Sequence, residues 1–187
     1  LAALDGEITE RRFAARRATD AYLGSARYGQ AMLVTAEQLH ALDGATGKGE
    51  VLSSFAARRL SRLRRKVVRL ANAARPDAPA SLHALRIAVK RLRYGLEFFA
   101  PMTGGRRLKR CSSVLAEAQD ALGKLNDLAN AGHLLEQCAG TDPRLREAVS
   151  LVGGWHVPRH TGLMERVPGI LRDLRRLELP RFAGLDG

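Results

Sequence analysis

The chain has 187 residues, 45% of them apolar, which is enough for a core, and no apolar run approaches the roughly 20 residues of a membrane span. Lys and Arg number 31 against 19 Asp and Glu, a formal net charge of +12, so the partner is an anion: nucleic acid, a membrane surface or an inorganic polyanion. Aromatic residues are only 5% and fall mostly on apolar stripes, whereas single-strand nucleic-acid binders stack bases on exposed rings; the scarcity favours a ligand made of phosphates alone.

The chain opens at Leu1 without a methionine, which reads as a processed or partial chain. Residues 1–24 alternate Ile8, Phe13, Ala18 and Tyr22 with Arg11, Arg12, Arg16 and Arg17 and predict an amphipathic helix ending near Gly24. Ser25 can cap a second helix to about Leu42, with Tyr28, Met32, Thr35 and Leu39 on one side. Residues 43–49 hold three glycines in seven positions and read as a loop.

Residues 50–74 form the most basic predicted helix. Leu52, Ala56, Leu60, Leu63, Val67, Leu70 and Ala74 make its core stripe. Arg58, Arg62, Arg65 and Arg69 line the opposite face, with Arg59 and Lys66 beside the stripe. Two readings stand for that face: solvated arginines in a good helix-forming context, or cations that help to hold a polyanion. Arg75-Pro76-Asp77-Ala78-Pro79 ends the helix.

The next helix, from Ser81, carries the pattern to which the rest relates. Leu82, Leu85, Val89, Leu92, Leu96 and Phe99 recur at spacings of three and four and form an apolar stripe. His83, Arg86, Lys90, Arg93 and Glu97 run beside it, and Ile87, Tyr94 and Phe98 make a second, narrower apolar flank. Cations between two packing surfaces read as the floor of a groove rather than as a plain solvated face. The helix is expected to stop at Pro101, with a turn at 102–105.

A long helix follows from Arg106 to about Cys138, with Leu108, Cys111, Leu115, Ala118, Leu122, Leu125 and Leu128 as core. Asp120 and Asp127 share a face two turns apart; they are read as holding neighbouring arginines rather than as a metal or acid–base pair. Gly123 suits close packing by another helix. Cys111 and Cys138 lie about 40 Å apart along this helix and cannot bridge within it. Free thiols and no secretory signal predict a reducing, cytoplasmic setting. Asp142 and Pro143 restart a helix that is expected to reach Gly153 and Gly154. A further helical segment, from Trp155 to Leu177, is expected to be delayed or kinked by Pro158 and Pro168, with a tail from Leu179 onward.

His156 and His160 have the spacing of paired metal ligands, but Pro158 lies between them and no third ligand stands near. No phosphate-binding glycine loop or nucleophile elbow occurs, and Ser112-Ser113 has no partner base. His83 is read as a phosphate-binding donor rather than a catalyst.

From Leu82 to Tyr94 the chain reads L-H-x-L-R-I-x-x-K-R-L-R-Y, which resembles the signature of the CHAD domain, the conserved histidine α-helical domain. Gln119-Asp120-Ala121-Leu122-Gly123-Lys124-Leu125-Asn126-Asp127 is similar to that family's second signature. The resemblance implies an all-α fold of two similar four-helix halves that binds inorganic polyphosphate, beside a triphosphate-tunnel domain or on polyphosphate granules. By resemblance His83, Arg86, Lys90, Arg91 and Arg93 match the basic signature, and Lys109 and Lys124 are further candidates. A complete family member carries two copies of the signature helix, and this chain has one. Residues 1–75 are therefore expected to be the later helices of a first half and residues 76–187 the second half of an antiparallel helical bundle.

The functional expectation is non-catalytic polyphosphate binding through those residues together with Arg58, Arg62, Arg65 and Arg69, with no metal or cofactor. Apolar surface on residues 1–75 predicts a homodimer through that segment. The rivals are a nucleic-acid-binding helical module, a basic scaffold for an acidic protein and, without a visible catalytic constellation, an enzyme acting on phosphate esters.

Overall fold

The computed structural model describes residues 1–42 and 51–182, so the glycine-rich loop expected at 43–49 lies outside the described residues. Six α-helices follow one another: α1 (Ala2–Leu23), α2 (Ala26–Leu42), α3 (Leu52–Ala73), α4 (Pro79–Phe98), α5 (Gly105–Ala139) and α6 (Pro143–Arg175). Among the described residues the extended pairing is confined to one isolated bridge, Thr103 with Phe182. The all-α class read from the helical periodicities is the class found.

By internal contacts the described chain divides into two compact units, residues 1–42 with 134–152 and residues 51–133 with 153–182. The first unit holds α1, α2, the end of α5 and the start of α6. Its helix ends follow the capping residues in the sequence. Ser25 Oγ accepts from the Tyr28 amide at 3.3 Å, and Asp142 Oδ1 accepts from the Arg144 amide at 2.8 Å with Pro143 in the first helical position. Gly140 closes α5 at φ +49°, a conformation that suits glycine. Arg11 donates to the Gln137 carbonyl at 2.9 Å and ties α1 to the last turns of α5. Leu4 is buried, whereas Phe13, Tyr22, Leu33, Val34 and Leu39 are exposed.

The second unit contains the main core. Leu60 and Val67 of α3, Leu85, Val89, Leu92 and Leu96 of α4, Leu115 and Leu122 of α5, and Val167 and Leu174 of α6 are all fully buried. Each such side chain stabilises the fold by roughly 1.5–3 kcal/mol. The expected α4 stripe is buried throughout. The α3 stripe is shifted at its ends: Leu52 is exposed and Ala71 takes a buried place. Ser81 Oγ accepts from the Arg75 amide at 2.9 Å and fixes the α3–α4 connection. Gly105, at φ +82°, starts α5 after a short 3-10 turn at Ala100–Met102.

Two expectations for the C-terminal third are corrected. First, α6 is one helix from Pro143 to Arg175, with no break at Gly153-Gly154 and with both prolines inside it. Around Pro168 the reason is tertiary: Leu163, Val167, Ile170, Leu171 and Leu174 are buried, and together they outweigh a proline cost of about 3 kcal/mol. Pro158 stands in an exposed stretch, and among the described residues no packing there offsets its cost. Second, residues 179–182 are not a tail. Leu179 packs against the core, Pro180 and Phe182 are buried, and Phe182 pairs with Thr103.

Candidate functional site

In the second unit the cations of α4 point to two sides of that helix. His83, Arg86, Lys90 and Arg93 lie on the side toward α5. His83 Nδ1 is 2.5 Å from Asn126 Oδ1, and with that oxygen accepting, Nδ1 is the donor. The Arg86 side chain lies across Gly123, where an added Cβ would be 3.8 Å from Nε. Another helix does not pack closely at Gly123 among the described residues: the Arg86 side chain stands there at ordinary contact distance. Arg86 Nε and Arg93 Nε are both buried without a hydrogen-bond partner, as is Gln119 Oε1. Unmatched guanidinium donors in one row are what an anion would satisfy. Arg93 also bonds Glu97 at 3.3 Å, and Lys90 lies 5.5 Å from the Tyr94 ring centre.

On the other side of α4 a cavity of about 790 Å³ opens against α3. Arg59, Arg62, Arg65, Lys66 and Arg69 of α3 and Arg91 of α4 line it, and no carboxylate does. The two helices meet closely at Gly95, where a Cβ would come within 3.0 Å of Leu60 Cδ2 and 3.2 Å of Leu63 Cδ1.

Between the two cationic sides runs the second apolar flank. It is not a packing surface among the described residues, because Ile87, Tyr94 and Phe98 are 37%, 49% and 77% exposed. Phe55, Tyr94 and Phe98 edge the cleft with their rings open to solvent, whereas Phe99, which also lines it, is buried in the apolar stripe.

The predicted residues are therefore distributed over both sides. Arg91 joins Arg62, Arg65 and Arg69 in the cleft, whereas His83, Arg86, Lys90 and Arg93 share the α5 side. Lys124 pairs with Asp120 at 2.7 Å, so Asp120 holds a lysine of its own helix and not an arginine. Glu117 holds Arg166 at 3.3 Å. Arg58 and Lys109 are exposed and do not line the cleft. His160 and His83 both line a smaller cavity of about 390 Å³, and among the described residues no group of three His, Cys, Asp or Glu is placed to hold a metal ion.

The sequence profile of the CHAD domain matches residues 1–136. The chain belongs to the CHAD family. A crystal structure of the CHAD domain from the plant Ricinus communis is similar to it with a TM-score of 0.80 and 29% identity, over 96% of this chain and 61% of that one. The chain thus spans less than two thirds of the length of that structure. No curated protein matches it.

Within this CHAD domain, three functional candidates were not singled out from the sequence: Arg59, Lys66 and Asn126. Arg59 and Lys66 sit beside the α3 core stripe and reach the cleft because α4 packs along that edge; their spacing of seven residues, next to Leu63, was the available signal. Asn126, inside the second signature, is the partner of His83, a pairing across 43 residues that helix periodicity cannot supply.

Proposed function

We propose that this CHAD domain binds inorganic polyphosphate without turning it over, using the cations on both sides of α4. The observation that carries the reading is the α3–α4 cleft, in which six Lys and Arg side chains face one space with no carboxylate among them. Polyphosphate offers a charge at each phosphate and no bases. Its binder needs repeated donors one helical turn apart, and α3 supplies them at residues 62, 65 and 69. The unmatched Nε groups of Arg86 and Arg93 add donors on the α5 side. On this reading residues 1–75 are the later helices of a first half and residues 76–187 the second. The ligand is met in the cytoplasm, on granules or beside a triphosphate-tunnel domain, and residues 1–75 mediate a homodimer.

A nucleic-acid ligand is the second reading, and the open rings of Phe55, Tyr94 and Phe98 at the cleft edge favour it. Competition at equal phosphate concentration and fixed salt separates the two, with polyphosphate expected to displace RNA and DNA. Affinity should fall with salt by a log–log slope of about 0.7 per neutralised charge. Replacing Arg86 and Lys90 with Ala, or Arg62 and Arg65 with Ala, is expected to flatten that slope by about one to two. Removing Arg16 and Arg17 from α1 leaves it unchanged. Folded variants of both pairs that keep the original affinity and slope would overturn the reading, and preference for RNA would replace it with the second.

A further inference from the structure

A second group of guanidiniums sits in the same unit and shares no lining residue with the α3–α4 cleft. Arg106, Arg107 and Arg110, in the first two turns of α5, and Arg176, just beyond α6, line a cavity of about 510 Å³ with Asp173 and Glu178. The two carboxylates do not balance the four cations. Asp173 is engaged by Arg172 at 3.2 Å, and Glu178 reaches Arg107 only at 4.0 Å. Among the described residues Arg106, Arg110 and Arg176 have no carboxylate partner.

Arg176 has a structural explanation, because cations are favoured beside the carbonyl end of a helix such as α6. Arg106 and Arg110 have none. They stand at the amide end of a 35-residue helix, where the macrodipole disfavours cations, and its first turn contains no acidic residue. They are also four residues apart, a spacing at which like charges repel. Packing does not require them either, since both are exposed. An anion held among the four guanidiniums would reverse each of these costs.

We propose that this cavity is a second phosphate-binding site, and that its ligand is an oligophosphate of two or three linked phosphoryl groups. Four converging cations exceed what a single monovalent anion balances, whereas linked phosphates present several charges and the paired oxygens that guanidinium forks engage. One consequence rests on the polyphosphate reading of the cleft: a molecule with two separate sites can hold two chains and cross-link them.

The test is calorimetric titration of the full chain with tripolyphosphate at low, fixed salt. Two classes of site are expected. Arg106→Gln with Arg110→Gln should remove one class or weaken it at least about tenfold, while Arg62→Gln with Arg65→Gln should remove the other. ATP in place of tripolyphosphate separates a nucleotide source from an inorganic one, and binding of either that depends on Arg106 and Arg110 supports the site. If the Gln variant does not fold, Arg106→Lys with Arg110→Lys keeps the charge but loses the fork, and a several-fold weakening is expected. Unchanged stoichiometry and affinity in the folded Arg106/Arg110 variants would overturn the second site and leave the cleft reading standing. Loss of all binding in them would keep this site and overturn the cleft.

Discussion

Cys111 faces the core of the second unit with 1% of its surface exposed. Burial pushes its thiol up to about 11, against the lowering influence of Arg64. The unfolded chain releases that proton near pH 9, and the folded chain holds it to about 11. In that window the unfolded state binds fewer protons, so stability falls as pH rises, by on the order of 2 kcal/mol. Denaturant unfolding at pH 8.5 and 10.5 is expected to show a larger loss for the wild type than for Cys111→Ala, since other titrations cancel between them. Equal losses would rule the effect out. At this scale the sequence showed residue types more clearly than partners. The spacing of His83, Arg86, Lys90 and Arg93 was legible because a helix has a fixed period. That Asn126 meets His83, or that Asp120 holds Lys124, depends on tertiary placement and on rotamer choice, which no period encodes.

Two glycines show how element packing decides the sign of a substitution. In an exposed helix, Gly→Ala stabilises by about 1 kcal/mol. At Gly123 the nearest obstacle is 3.8 Å away and belongs to the Arg86 side chain, so Gly123→Ala is expected to raise the melting temperature. At Gly95 the new methyl group would press on Leu60, which is fully buried, at 3.0 Å, and overpacking costs about 1–3 kcal/mol. Gly95→Ala is therefore expected to lower the melting temperature, and thermal unfolding of the two variants side by side checks both signs. The helices themselves were legible because their stripes are strongly periodic, and α4 is buried along its whole predicted stripe. The continuity of α6 was not. The penalty of Pro168 is local, whereas the burial of Val167, Ile170 and Leu174 that overrides it is tertiary. Residues 179–182 were misread for the same reason: the burial of Phe182 and its bridge to Thr103 make that end part of the core.

For the molecule as a whole, the net charge of +12 opposes self-association, while the apolar surface of α1 and α2 favours it. Phe13, Leu33 and Leu39 are 50%, 67% and 63% exposed, and no residue of α2 is buried. Sedimentation velocity at rising protein concentration is expected to show a dimer at moderate salt, and Phe13→Glu with Leu33→Glu should return it to monomer. A wild-type chain that stays monomeric at all concentrations would remove the homodimer from the proposed function. The two thiols make such an experiment simple to instrument. Cys111 is enclosed and holds its proton, whereas Cys138 is half-buried, in the first unit with α1 and α2. A maleimide dye at neutral pH should therefore mark one position on the unaltered chain. Self-quenching of that dye would report association without any engineered cysteine, and a native chain that consumed two equivalents would reveal that the core around α5 opens on the labelling timescale.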